Sequence, residues 1–285
     1  MSTVKLVGDY ERDGYVTARE LLDAAELEAA RSALRDVMLN MVRDARAGKI
    51  DYKPATGGTG NYDGAWIFRA KGEGKASIVF EHSFDPMAVS DEEAIGRVRN
   101  LYYHHGEHPL LMELVESPKI KGVAEELLGE EATMFQTMAL VKPALVGSEK
   151  PWHQDNAYFK YAPLDKVVGF WMALDDADAS NGCMHVLPGW HRRGGLKHIH
   201  DGDCLIQPDR LREKRPVAVE LPAGGAMWFS SMLPHQTPPN RSSKPRRAIQ
   251  FHYRALSTRV VDQAEYDRLF AEPDGTPASC AAAKK

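Results

Sequence analysis

The chain changes character at Ala132. From there on it is cut into short apolar or alternating runs, separated by Pro, Gly, Asn and Asp. Segments 133–141, 167–174, 183–187, 216–221, 226–230 and 248–255 read as strands, with Pro188-Gly189 and Ala223-Gly224-Gly225 as turns. Short strands bury an apolar face only by pairing and stacking. Several at this spacing point to a sandwich or barrel, of which a jelly roll is one solution.

The first half follows a different period. In residues 23–46, Leu27, Ala30, Leu34, Val37, Met38, Met41 and Val42 recur at helical spacing. Asp23 and Glu26 fit a capping box at the start of that helix. Segments 92–103 and 109–128 also read as helices, the second stopped by Gly129. Residues 53–75 are a Gly-rich loop, with Gly57-Gly58-Thr59-Gly60, that lacks the Gly-Lys-Ser/Thr ending of a phosphate cradle. Its aromatic residues Tyr62, Trp66 and Phe68 are candidates for a lid. The expected fold is mainly β with flanking helices. Residues 1–274 form a single domain, with 1–131 a helical wrap plus Gly-rich loop and 132–256 a core carrying the site. Residues 275–285 are expected to be a disordered tail.

At 285 residues one large domain suffices. A net charge of −4 and a pI near 6.3 give no basic stripe for nucleic acid. No apolar run approaches the roughly 18 residues that span a bilayer, so no membrane partner is expected. Nor is a secretory h-region visible. Cys183, Cys204 and Cys280 form no C-x-x-C and leave an odd count, which reads as free thiols in a reducing, cytoplasmic location.

Eleven histidines make any single one uninformative. The useful pattern is Trp152-His153-Gln154-Asp155. Residues i and i+2 of a strand share a face, so His153 and Asp155 can aim an imidazole and a carboxylate at one point. His235, just past the strand 226–230, can supply a second imidazole. Two histidines and one carboxylate hold iron(II) by three positions and leave three open. Arg246 follows at the head of the next strand, and its guanidinium can pair a carboxylate in bidentate fashion. Alternation puts Arg247 on the opposite face. His252, farther along the same strand, is a candidate neighbour of the metal ligands.

Together these residues resemble the phytanoyl-CoA dioxygenase family of iron(II)/2-oxoglutarate oxygenases. The resemblance runs from Asp13-Gly14-Tyr15-Val16 through Trp152-His153-Gln154-Asp155 and Trp171-Met172-Ala173-Leu174-Asp175-Asp176-Ala177. It continues through Asn181-Gly182-Cys183-Met184-His185-Val186-Leu187-Pro188-Gly189-Trp190-His191 to His235 and Pro245-Arg246-Arg247. It implies a double-stranded β-helix of jelly-roll, cupin-like type wrapped by the N-terminal helices. His153, Asp155 and His235 then bind iron(II). Arg246 and Thr237 bind the far carboxylate of 2-oxoglutarate, with Trp171, Met138 and Arg99 in the same pocket. O2 is the third reactant, and Asp155, a true carboxylate, argues against halogenation.

The implied reaction is hydroxylation of an unactivated C–H of a small molecule, with release of succinate and CO2. Gln136, Asn156, Tyr158, Phe159 and Phe68 are candidates for the substrate wall. On a strand, Tyr158 and Phe159 point in opposite directions, so only one of them is expected to face the site. An anionic substrate would find Arg192, Arg193, Lys197, His198 and His200 after the Pro188-Gly189 turn. Competing readings are desaturation or cyclisation by the same site, a catalytically silent ligand-binding jelly roll, and a zinc hydrolase or isomerase. The phytanoyl-CoA substrate itself has no counterpart in these residues.

Overall fold

A computed structural model describes residues 4–54, 65–72, 75–201, 203–277 and 280. The chain begins with α1 (Tyr10–Asp13), β1 (Tyr15–Ala18) and α2 (Ala24–Arg46). Next come β2 (Asp51–Pro54), β3 (Trp66–Arg69), β4 (Ser77–Phe80), α3 (Asp91–Ile95), β5 (Val98–Tyr102), α4 (Pro109–Glu116) and α5 (Val123–Leu128). The second half carries β6 (Ala132–Lys142), β7 (Lys150–His153), α6 (Asn156–Phe159), β8 (Tyr161–Ala162), β9 (Val167–Ala173), β10 (Met184–Val186), β11 (His198–Asp201) and β12 (Asp203–Ile206). It closes with β13 (Val217–Val219), β14 (Ala226–Ser230), β15 (His235–Thr237), β16 (Arg246–Ala255), β17 (Arg259–Val260) and α7 (Gln263–Phe270).

Two antiparallel sheets face each other, as the jelly-roll expectation requires. The major one has nine strands in the order β1-β14-β9-β16-β6-β5-β4-β3-β2, and the minor one four in the order β13-β10-β15-β7. The outer face of the major sheet packs on the helices. Leu34, Val37 and Val42 of α2 meet Phe68, Ile78, Phe80, Leu101, Phe170 and Phe251 there. Each such fully buried side chain contributes roughly 1.5–3 kcal/mol of hydrophobic stabilisation. The inner face carries Trp171, Ala173, Met227, Phe229 and Ala248, which meet Met184, Val186 and Val219 of the minor sheet.

The expected α2 forms with its capping box: Asp23 accepts from Glu26 N at 2.8 Å and Glu26 accepts from Asp23 N at 3.0 Å. Gly129, at φ 73°, ends α5 as read from sequence. The helical wrap, however, is only half helical. Residues 1–131 contribute β1 to β5, five strands of the major sheet. Segment 92–103 is not one helix: α3 stops at Ile95 and β5 follows, paired to β4 and β6. Residues 66–69, expected as loop, are β3. Residues 53–54 end β2, and residues 55–64, with Tyr62, and 73–74 lie outside the described residues.

Cys204 and Cys280 are joined in a disulfide across a Cα–Cα distance of 5.3 Å, so the free-thiol reading is corrected. A pair 76 residues apart leaves no local motif to read. The cysteine pattern therefore no longer argues for a reducing compartment. Cys280 is buried beside Tyr266 and Phe270, so the expected tail is anchored at that point. Residues 281–285 lie outside the described residues. Among the described residues no helix is long and apolar enough to cross a membrane.

Candidate active site

A cavity of about 520 Å³ opens between the sheets. Ligand atoms of His153, Asp155 and His235, all buried, lie within 4.8 Å of one another there, a group able to hold a metal ion. His153 ends β7 and His235 begins β15, and the two are directly paired across the ladder. Asp155 is not on the strand. It takes αR angles at the start of α6, so the chain turns after His153 and brings the carboxylate back beside both rings. The spacing in sequence is the expected one, but a strand end plus a helical turn achieves it, not two residues of one strand.

The donor set suits a divalent cation. His153 Nδ1 lies 2.7 Å from Pro151 O and His235 Nδ1 lies 3.0 Å from Leu233 O. Each carbonyl accepts an N–H, which fixes the tautomer and leaves the Nε2 lone pair free for a metal. Asp155 Oδ1 is 3.3 Å from His153 Nε2 and 3.6 Å from His235 Nε2. Burial pushes His235 down to about 4, which keeps its imidazole neutral. Burial alone would raise the Asp155 carboxyl, but the imidazoles of His235 and His252 around it and the hydrogen bond from His252 outweigh it and hold it well below the usual carboxylate range.

Gln154, between His153 and Asp155, ties the turn to two other segments, 194–198 and the stretch at Met232. Its amide bonds Gly194 O, Met232 O and Leu196 N, and its backbone N–H donates to His198 Nε2 at 3.2 Å. His198 must be neutral to accept, and burial pushes it down to about 3. Its unfolded value is near 6.5, so the unfolded chain binds the proton first as pH falls. Stability contributed by neutral His198 is full above about pH 6.5 and is lost progressively below it. The melting temperature is expected to drop between about pH 7 and pH 5, and to drop less in a His198→Gln variant. Equal drops in both proteins would refute this.

Arg246 reaches the cavity from β16, as alternation predicts, while Arg247 turns away to Asp175 at 2.7 and 2.8 Å. The Arg246 guanidinium is 1% exposed and, among the described residues, pairs with no carboxylate. It donates to Leu140 O at 3.0 Å, and its Nε has no partner. Burial lowers it to about 10, which leaves it cationic at neutral pH. A buried cation of this kind calls for an anion. Thr237, Met138 and Arg99 also line the cavity. Arg99 does so because it is the extra residue where the β4–β5 register slips between Val79 and Phe80. A bulge re-aims a side chain in this way. Trp171 does not reach the cavity; it lies behind Arg246, its ring centroid 5.4 Å from the guanidinium carbon.

Of the wall candidates, Gln136, Tyr158 and Phe159 line the cavity. Both aromatic residues do so because they lie on α6, not on a strand as expected. Asn156 is buried and bonds Tyr161 O and N, closing the turn rather than facing the cavity. Phe68 is in the opposite core, 4.8 Å ring to ring from Phe80. The basic cluster is largely absorbed by structure: Arg193 stacks on Trp190, Lys197 bonds the end of α7, and His198 is buried. Only His200 of that group lines the cavity.

Sequence reading missed Lys142. This buried lysine lines the cavity as the ladder partner of Arg246 and donates to Ser148 O and Thr237 O. Burial, then the nearby Arg246 and Arg99, hold it well below the usual lysine range. Its one sequence signal is a lysine closing the apolar run 138–141.

Residues 10–248 match the family model for phytanoyl-CoA dioxygenase. A phytanoyl-CoA dioxygenase domain-containing protein 1 from Danio rerio is 25% identical over 263 residues, covering 86% of this chain and 88% of the relative. Among solved structures, the non-heme alpha-ketoglutarate-dependent carbocyclase SnoK from nogalamycin biosynthesis superposes with a TM-score of 0.63 at 22% identity, covering 91% of this chain and 88% of that one. EctD from S. alaskensis, solved with 2-oxoglutarate and 5-hydroxyectoine, gives a TM-score of 0.60 at 20% identity, covering 88% and 76%. These structural likenesses bear on the fold.

Proposed function

The chain belongs to the phytanoyl-CoA dioxygenase family, and on that premise we propose that it is an iron(II)- and 2-oxoglutarate-dependent dioxygenase that hydroxylates an unactivated C–H of a small molecule. The observation that carries this reading is the convergence of His153, Asp155 and His235 in one cavity with the buried Arg246 guanidinium. A metal site alone would serve a zinc hydrolase or a silent binding module. Neither needs a second, buried cation waiting for an anion. SnoK and EctD, with this fold, are described with the same co-substrate.

His153, Asp155 and His235 would hold iron(II), with the two neutral imidazoles oriented by Pro151 O and Leu233 O. Bound together, iron, 2-oxoglutarate and O2 supply an oxidant able to take hydrogen from an unactivated C–H; one oxygen atom goes to the substrate and the other to succinate, and CO2 is released. Arg246 and Thr237 bind the far carboxylate of the co-substrate. Trp171 backs the guanidinium and fixes its plane, and Met138 fills the wall. Arg99 adds positive potential at that end of the cavity, which raises the local concentration of a dianion. Phe135, Phe159 and Tyr161 form an aromatic wall, with ring centroids 4.9 and 5.0 Å apart from Phe135, that excludes water and offers an apolar surface to the substrate. A volume of about 520 Å³ is in the range of small-molecule pockets.

The test is succinate formation by anaerobically loaded protein given iron(II), 2-oxoglutarate and O2, with zinc(II) in place of iron as the control. Iron-dependent succinate is the expected result. A protein that turns over with zinc, or that shows neither succinate nor the weak visible band of an iron(II)–2-oxoglutarate chelate, would overturn the reading. Product mass then separates hydroxylation, a gain of one oxygen, from desaturation or cyclisation, each a loss of two hydrogens.

A further inference from the structure

We propose that His252 is a positioning residue that keeps Asp155 a one-oxygen ligand, and thereby keeps a coordination position open for O2 beside the co-substrate. This rests on the iron and 2-oxoglutarate reading above. The two carboxylate oxygens of Asp155 have different partners. Oδ1 faces the histidine ligand atoms, 3.3 Å from His153 Nε2 and 3.6 Å from His235 Nε2. Oδ2 is 2.9 Å from His252 Nε2. An ionised carboxylate only accepts, so His252 donates from Nε2. The Gln250 atom placed 3.0 Å from the same nitrogen is Nε2; two donors do not bond each other, so the amide is assigned the other way round, with its oxygen toward that N–H.

The consequence is a matter of counting positions. Iron(II) of this type takes six ligands; three protein atoms and a two-oxygen chelate leave one. A carboxylate that swung to bind through both oxygens would fill it. The His252 N–H holds Oδ2 away from that swing. His252 is itself immobile: it is 1% exposed, with the Phe159 ring edge-on at 4.6 Å and Phe135 at 6.0 Å. Phe135 gets there because β6 carries an extra residue opposite His252 and Tyr253. Gln250 and His252 share the cavity face of β16 with Arg246, so one strand presents both the co-substrate clamp and the restraint on the metal's carboxylate.

The experiment compares wild type, His252→Leu and His252→Gln, loaded anaerobically with iron(II) and 2-oxoglutarate and titrated with nitric oxide as a stand-in for O2. Glutamine carries an N–H donor to about the place of Nε2. Wild type and His252→Gln are expected to give the iron–nitrosyl electron-spin signal. His252→Leu, loaded with iron in excess to offset the roughly 10–100-fold affinity that losing an outer partner of a ligand costs, is expected to give the chelate band but to bind nitric oxide at least about ten-fold more weakly, with 2-oxoglutarate turnover reduced to match. Nitric oxide binding as in wild type would overturn the proposal. So would failure of the leucine variant to take up iron even in excess, because His252 would then serve the metal site as a whole and not the open position. Should the leucine variant not fold, His252→Asn, whose shorter amide withdraws the donor from Oδ2, carries the same expectation. If wild type shows neither chelate band nor nitrosyl signal, the iron reading fails and this inference falls with it.

Discussion

Asp155→Ala is expected to abolish iron-dependent 2-oxoglutarate turnover while leaving the fold in place. Asp155 is the hub of the site: its Oδ1 meets His153 and His235, and its Oδ2 meets His252. Removing it takes away one of the three proposed metal ligands and the one negative charge among three imidazoles. Losing an outer partner of a ligand typically costs 10–100-fold in metal affinity, so loss of the ligand itself should exceed about 100-fold. The fold should persist because the hydrophobic layers that hold the sheets together, from Leu34 and Phe80 to Met227 and Val186, lie elsewhere. Iron affinity by titration, succinate formation and a metal-free melting curve would be measured on the same preparation. An Asp155→Ala protein that still made succinate in an iron-dependent way would remove Asp155 from the ligand set. A collapsed melting curve would show that the carboxylate serves the fold first.

The site was more legible in sequence than the fold around it, and the reason is range. His153, Gln154 and Asp155 are contiguous, and His235 and Arg246 flank one turn, so their chemistry could be read locally. Even there the geometric argument was off, because Asp155 sits on a helical turn. Alternation succeeded at Arg246 and Arg247, which lie on a long regular strand. It failed for Tyr158 and Phe159, since a four-residue helix is too short to leave a period. The same limit hid β5: Val98–Tyr102 follows α3 closely, and five residues after a capped helix read as its continuation. Bulges erase alternation altogether, which is why no periodicity aims Arg99 or Phe135 at the cavity, and Arg99 was reached only through the family resemblance. Lys142 and the Cys204–Cys280 bond depend on partners brought together only by the folded sheets.

Arg246→Met should separate co-substrate binding from stability in opposite directions. The guanidinium is buried without a carboxylate partner among the described residues, so in the absence of ligand it costs desolvation and returns one hydrogen bond to Leu140 O. Replacing such a charge by an apolar side chain of similar volume is often neutral or stabilising. The ligand-free melting temperature is therefore expected to hold or rise. With 2-oxoglutarate the order reverses. A charge-assisted hydrogen bond is worth about 1.5–3 kcal/mol, and a bidentate pair makes two. Loss of the pair should weaken 2-oxoglutarate at least about 100-fold, and the stabilisation that excess ligand gives wild type should disappear. Arg246→Lys keeps the charge but not the fork, and should fall between the two. Arg247→Met is the control: its partner is Asp175, on the far side of the strand, so 2-oxoglutarate affinity should be unchanged. Titration of the chelate band and paired melting curves read all four proteins. If Arg246→Met bound 2-oxoglutarate like wild type, or Arg247→Met lost it, the clamp would have been assigned to the wrong face of β16.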